Sequence, residues 1–339
     1  MATTATVPVF SPGTFPCAHA STVVELANGD LLAAWFAGTS EGEKDCAIWS
    51  ARRDGGVWSR PTKLVREPQI ACYNPVLFHT SDRRLWLYYK FGAHPMSWTA
   101  GRTVSLDDGL TWGPVEHLPA GLYGPIRAKP LVLPDGTIVS GTSVETYRSW
   151  ACWIERSTDH GGSWLKAGPI TVPRELTGPG VSGEAPPAVP GSNEWKATEG
   201  IIQPSVIALA GGRLRLYARS TARIGRVCVA DSIDAGRSWT PARPIDVPNP
   251  NSGIDAVALA DGRVLLVYNH SDDRRWPLNV ALSMDGEVFA PCLTLESEPG
   301  EYSYPAVIQG RTGDVHVTYT VNRTTIRHAT IPLSLLPAR

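Results

Sequence analysis

What this chain has little of narrows its function before any motif is read. Its 31 Lys and Arg nearly cancel its 32 Asp and Glu, leaving a formal net charge of −1. That balance gives no electrostatic footprint for nucleic acid or for an anionic membrane. No stretch reaches the roughly 20 apolar residues that cross a bilayer. The start, Met1-Ala-Thr-Thr-Ala-Thr-Val-Pro-Val-Phe10, has neither a basic run nor an apolar core, so no signal peptide is read there and a cytoplasmic protein is the expectation. The six cysteines (Cys17, Cys46, Cys72, Cys152, Cys228, Cys292) are scattered without a C-x-x-C pair. They argue against a zinc site and a disulfide scaffold, and for buried thiols in a reducing compartment. No acidic cluster has the spacing of a calcium loop, so neither metal nor cofactor is expected. A sustained 3.6-residue apolar period is missing too, which predicts few helices.

What is present in quantity is turn and wedge: 32 Gly, 29 Pro and 12 Trp in 339 residues. These organise around a repeated box, S-x-D-x-G-x-x-W. It occurs at Ser105–Trp112, Ser157–Trp164 and Ser232–Trp239, with weaker copies at Ser50–Trp58 and Ser283–Phe289. A recurrence at such spacing marks one supersecondary unit used several times. Each unit has short β-branched or aromatic runs joined by turns such as Asn28-Gly29, Asp135-Gly136, Gly211-Gly212, Asp261-Gly262 and Thr312-Gly313. That pattern predicts antiparallel strands in hairpins. Six units follow, at about 17–66, 70–118, 124–172, 199–247, 250–296 and 301–335. The expected architecture is all-β: a single domain over residues 1–339, a six-bladed β-propeller of four-stranded blades. The segment around Val7 to Phe10 would close the last blade and remove exposed strand edges. The extra length in the third step between boxes, Arg174 to Glu199, has no strand pattern and is expected as a rim loop over the mouth.

In such a ring the innermost strands begin near the axis. A repeated dipeptide marks that place: Asn74-Pro75, Lys129-Pro130, Gln203-Pro204 and Tyr304-Pro305, with His19 at the matching distance in the first unit and Asn251 or Asp255 in the fifth. The proline is expected to start the strand and to hold the preceding residue extended, aiming its side chain at the mouth. Different polar residues at one structural position describe a binding constellation.

With its boxes repeated over six units, the whole chain resembles the sialidase (neuraminidase) superfamily, and within it the "predicted neuraminidase" branch with BNR repeats. The resemblance implies a tyrosine paired with a glutamate, an aspartate acid/base, and three arginines that grip a substrate carboxylate. A neutral phenol is not repelled by that carboxylate as an anionic nucleophile would be. Tyr304, nine residues before Gly313, falls where the family's tyrosine falls, with Tyr302 as a second candidate. Arg219 matches the second arginine and Arg275 the third, Arg274 being the alternative. Two positions depart from the pattern. His19 stands where the family has its first arginine, and Gln203 where it has the glutamate. The acid would come from Glu41, Glu43 or Asp45, with Glu41 nearest the strand end.

The expected function is a glycoside hydrolase for a carboxylate-bearing sugar in an acidic oligosaccharide or glycoconjugate. Tyr304, His19, Glu41 and Gln203 would form the catalytic group. Arg219, Arg275, Lys129, Asn74, Asn251, Asp255 and Tyr302 would bind substrate. Two alternatives stay open: a polysaccharide lyase acting on a uronate, with His19 and Tyr304 as base and acid, and a non-catalytic glycan-binding propeller.

Overall fold

The computed structural model describes residues 4–146, 149–176 and 199–338. Of the expected rim loop, residues 177–198 lie outside the described residues. Among those described there is no α-helix, only short 3-10 turns such as Pro95–Ser97, as the missing helical period predicts.

Six runs of antiparallel strands follow one another. The first is Cys17–Glu25, Leu31–Gly38 and Ala47–Asp54, with Val57–Trp58 and Thr62–Val65 along its outer edge. The second is Cys72–His79, Leu85–Phe91, Thr99–Ser105 and Glu116–His117. The third is Leu131–Val132, Ile138–Glu145, Ser149–Ser157 and Leu165–Ile170. The fourth is Glu199–Ala208, Leu214–Ser220, Arg226–Ser232 and Arg243–Pro248. The fifth is Asp255–Ala258, Val264–Asn269, Leu278–Ser283 and Ala290–Glu296. The last, Tyr302–Gln309, Val315–Val321 and Thr325–Ile331, takes its fourth strand from the N-terminus, where Ala5–Pro8 pairs antiparallel with Thr325–Ile331.

Hydrogen bonding gathers these runs into five sheets rather than six. The third and fourth are joined by a short parallel contact, Ser149 beside Glu199 and Trp150 beside Gly200. Glycine makes the approach possible, because a Cβ at Gly200 would lie 2.1 Å from the Trp150 carbonyl oxygen. Cores form between neighbouring runs: Leu32 and Phe36 of the first pack with Leu77 and Leu87 of the second. Val23 and Leu31 of the first run also meet Ala306 of the last. Second strands covered on both faces need no polar alternation. Leu31-Leu-Ala-Ala-Trp-Phe36 is accordingly buried at every position.

The boxes work as local clamps. In the first, the Asp107 carboxylate accepts from Ser105 Oγ at 2.7 Å and from the Thr111 amide at 2.8 Å. Gly109 donates its N–H to Ser105 Oγ at 2.7 Å. The same bonds recur around Asp159 and Asp234. The hydroxyl of Thr111, Ser163 or Ser238, donated to each carboxylate, heads the causes that lower their pKa to about 2. The box glycine then meets the preceding run, Gly109 against Leu32 and Gly236 against Val139. Replacing Asp234 with alanine is expected to lower the thermal unfolding midpoint by about 2–4 °C. The chemistry of the distant site should stay unchanged, as calorimetry and an activity assay on the same sample would show.

Candidate functional site

Four first strands carry a bulge at the same place, between His19 and Thr22, Tyr73 and Val76, Ile202 and Ser205, and Ser303 and Ala306. At each, one residue has a positive φ: Ala20 (54°), Asn74 (40°), Gln203 (56°) and Tyr304 (52°). Asn251, before the fifth run, is alike at 57°. Asn74, Gln203 and Tyr304, each before a proline, are therefore left-handed, not extended as the X-Pro rule predicts, while Lys129 is not left-handed. A bulge leaves two residues outside the ladder, so the proline has no pairing N–H to supply and its neighbour is turned off the strand. Non-glycine residues held this way are strained, and such strain collects at working sites.

Because the strands are antiparallel, first strands begin and second strands end at one end of each run. At that end a cavity of about 340 Å³ is lined by Glu41, Asn74, Gln203, Arg219, Asn251, Arg275 and Tyr304, and also by Pro95, Trp98, Glu145, Trp150 and Arg323. A larger groove of about 800 Å³ lies along the N-terminal segment, walled by Phe10, Phe15, Trp49 and Trp58. Arg60 is its one charged side chain, so it holds no proton-transfer set and the smaller cavity is the candidate site.

Three guanidinium groups shape this cavity. Arg219 is buried and donates through Nε to Asn251 Oδ1 at 2.8 Å, and through Nη1 to Gln203 Oε1 at 3.2 Å and the Tyr304 hydroxyl at 3.1 Å. Arg275 donates to Glu301 Oε1 at 2.9 Å and to the Asn251 carbonyl at 3.3 Å. Arg323 shares Glu301 through Nε at 3.0 Å and pairs with Glu41 through Nη1. Burial alone would raise the Glu301 carboxyl, yet Arg275 and Arg323 hold it below its ordinary range. Beneath them Arg127, buried, donates to the Pro305 carbonyl and sets its guanidinium 5.2 Å from the Tyr304 ring centroid.

Tyr304 is the convergence point. Its oxygen accepts from Arg219 and from Gln203 Nε2, the latter at 3.3 Å. The Arg219 donor on Gln203 Oε1 fixes which end of that amide faces the phenol. Across the cavity Glu145 ends the strand Ile138–Glu145, and burial pushes its carboxyl pKa up to about 7.

A model of the BNR repeat-like domain matches residues 29–317 of the sequence. The chain belongs to that family. Solved structures similar to this BNR repeat-like protein include a protein of unknown function from Dyadobacter fermentans, at 17% identity and a TM-score of 0.76, covering 96% of this chain and 97% of that one. The Hadza microbial sialidase Hz136 aligns at 18% identity and a TM-score of 0.75, over 98% of this chain and 69% of its own. Trypanosoma rangeli sialidase in complex with sialic acid aligns at 13% and 0.73, over 99% and 60%. No curated protein sequence matches. The likeness to these structures is one of fold, and the family rests on the BNR repeat-like domain match.

Within that frame several sequence expectations are corrected. His19 is one residue out of register, because the bulge position in the first run is Ala20. Its ring is 1% exposed, 4.4 Å from the Tyr304 ring, with Nδ1 3.1 Å from Thr320 Oγ1. Burial first, then Arg323 and Arg275, drive its pKa well down, so it is neutral and cannot stand in for an arginine. Lys129 and Asp255 bind each other at 3.0 Å away from the cavity lining. Tyr302 packs into the core with Leu259, Val267 and Tyr319. Glu43 and Asp45 do not line the cavity. Asp45 instead closes its own loop, accepting from Thr39 Oγ1 at 2.7 Å. Arg274 lies over Trp276 at 5.5 Å.

The sequence reading missed Arg323, Arg127, Glu145 and Glu301. Arg323 sits in the turn Val321-Asn-Arg-Thr324, with positive φ at Asn322 and Arg323. A turn between a second and a third strand always faces the first-strand starts, and that rule would have found it.

Proposed function

We propose that this protein is a six-bladed propeller and a glycoside hydrolase acting on a carboxylate-bearing sugar. The six strand runs act as blades, the parallel contact between the third and fourth being a local bridge, and the N-terminal strand closes the ring through the last. One observation carries the substrate class: Arg219, Arg275 and Arg323 face a single cavity beside Tyr304. Paired guanidinium donors fit a planar carboxylate. The third cation comes from Arg323, not from the first run as the family resemblance implies.

Gln203 has no group that takes up a proton, so it cannot accept the phenol's. Tyr304 is therefore assigned to stabilise charge at the anomeric carbon rather than to be deprotonated by a partner, with Arg219 and Gln203 fixing its oxygen. Preorganised dipoles of this kind act on charge as it develops. The elimination reading loses its base, since His19 is buried outside the cavity lining.

The test is incubation with oligosaccharides terminating in sialic acid or glucuronic acid. Release of the free acidic sugar without new ultraviolet absorbance supports hydrolysis. An unsaturated, absorbing product would establish a lyase, and binding without either product a lectin-like role. Tyr304→Phe is expected to lower kcat by about 100-fold with KM little changed, measured as initial rates of sugar release.

A further inference from the structure

We propose that Glu145 is the residue that protonates the glycosidic oxygen of the departing group. This rests on the hydrolase reading above. Glu145 lines the same cavity as Tyr304 but comes from the third run, whereas Tyr304 comes from the last. In a ring of six these runs face each other, so an acid and a charge-stabilising phenol flank a sugar held between them. Its cross-strand neighbour Trp150 carries the Arg219 guanidinium at 5.8 Å, which ties the acid's wall to the carboxylate grip.

The acid expected from sequence, Glu41, is bound in an ion pair with Arg323. That contact holds its carboxylate on the guanidinium. Glu145 has the opposite setting. Burial is the largest influence on it, the Glu41 charge adds to that, and Arg219 opposes it. Its pKa of about 7 keeps a large share of the acid form at neutral pH.

The step balances without a cofactor. The Glu145 O–H bond breaks and its proton passes to the glycosidic oxygen. The C–O bond breaks with its electron pair on that oxygen, and the aglycone leaves as an alcohol. Tyr304 stabilises the cationic carbon. Water then bonds to that carbon and returns a proton to the Glu145 carboxylate.

The experiment compares two probes of one acidic sugar: its methyl glycoside, whose leaving oxygen needs a proton, and its 4-nitrophenyl glycoside, whose leaving group departs without one. Glu145→Gln is expected to lose about 100-fold in kcat/KM on the methyl glycoside and to keep most activity on the nitrophenyl one. Equal loss on both probes, or loss on neither, overturns the assignment. A wild-type enzyme inactive on every acidic glycoside overturns the hydrolase reading itself. Should the variant not fold, the wild-type pH profile decides. Only the acid form donates, so methyl-glycoside turnover should fall as pH rises through about 7 while nitrophenyl turnover does not. Parallel profiles for both probes would also overturn it.

Discussion

Replacing Arg219 with alanine is expected to lower kcat/KM on an acidic glycoside by about 1000-fold while leaving the protein folded. On the proposed reading the side chain serves two functions at once. Its guanidinium, which lines the cavity, would form part of the carboxylate grip, and its Nη1 bond at 3.1 Å is one of two that fix the Tyr304 oxygen. Removing it would then withdraw a charged contact to the substrate and the stronger donor at the proposed charge-stabilising group. The groups left behind, Asn251 Oδ1 and Gln203 Oε1, border the cavity, where water can satisfy them, so stability should change little. Lysine should rescue poorly. A compact ammonium cannot reach Asn251, Gln203, Tyr304 and a carboxylate together, as the planar fork does. A loss of less than about tenfold in Arg219→Ala would show that this arginine does not contact the substrate.

The second large effect concerns a residue taken from the sequence as a substrate ligand. Asp255→Ala is expected to destabilise the protein by about 3–5 kcal/mol and to lower its midpoint by roughly 6–10 °C. Asp255 is 1% exposed, and each of its oxygens accepts twice. Oδ1 takes the Ser205 hydroxyl at 2.6 Å and its own strand's Ala256 amide at 3.0 Å. Oδ2 takes Lys129 Nζ and the Val307 amide, at 3.0 and 2.9 Å. One carboxylate thus pins the third, fourth, fifth and last runs together. Alanine would take an acceptor away from a lysine, a hydroxyl and two backbone N–H groups around a buried carboxylate. Asparagine should not restore stability, because its NH₂ group would confront the Lys129 and Val307 donors. If Asp255 bound substrate instead, alanine would weaken binding with the midpoint unmoved, and calorimetry beside a binding titration separates the two.

The scaffold was readable because its signals are local. A box places a carboxylate against backbone N–H groups four residues on, and an Asn-Gly or Asp-Gly pair makes a hairpin wherever it falls. The same ruler placed Asn74, Gln203, Arg219, Asn251, Arg275 and Tyr304 on one cavity. It failed where chain geometry is not fixed by spacing. The bulge in the first run shifts the register by one, which buries His19 and puts the structurally inert Ala20 at the equivalent position. Lys129 precedes a proline as Gln203 does, but its strand is only Leu131–Val132, with no bulge to turn the residue outward. Its charge goes to Asp255. Arg323 and Glu145 were missed for another reason. A family pattern directs attention to the positions the family uses, and the second-strand ends of the third and last runs, where these two lie, are not among them.

The account stands on three guanidinium groups reading one carboxylate, and calorimetric titration tests that most directly. N-acetylneuraminic acid and glucuronic acid would each be titrated into the wild-type protein beside their methyl esters, which keep the ring and lose the charge. The predicted result is saturable binding of at least one acid, weakened about 30-fold or more in its ester and weakened alike by Arg275→Ala. Equal binding of acid and ester, undisturbed by that substitution, would contradict it.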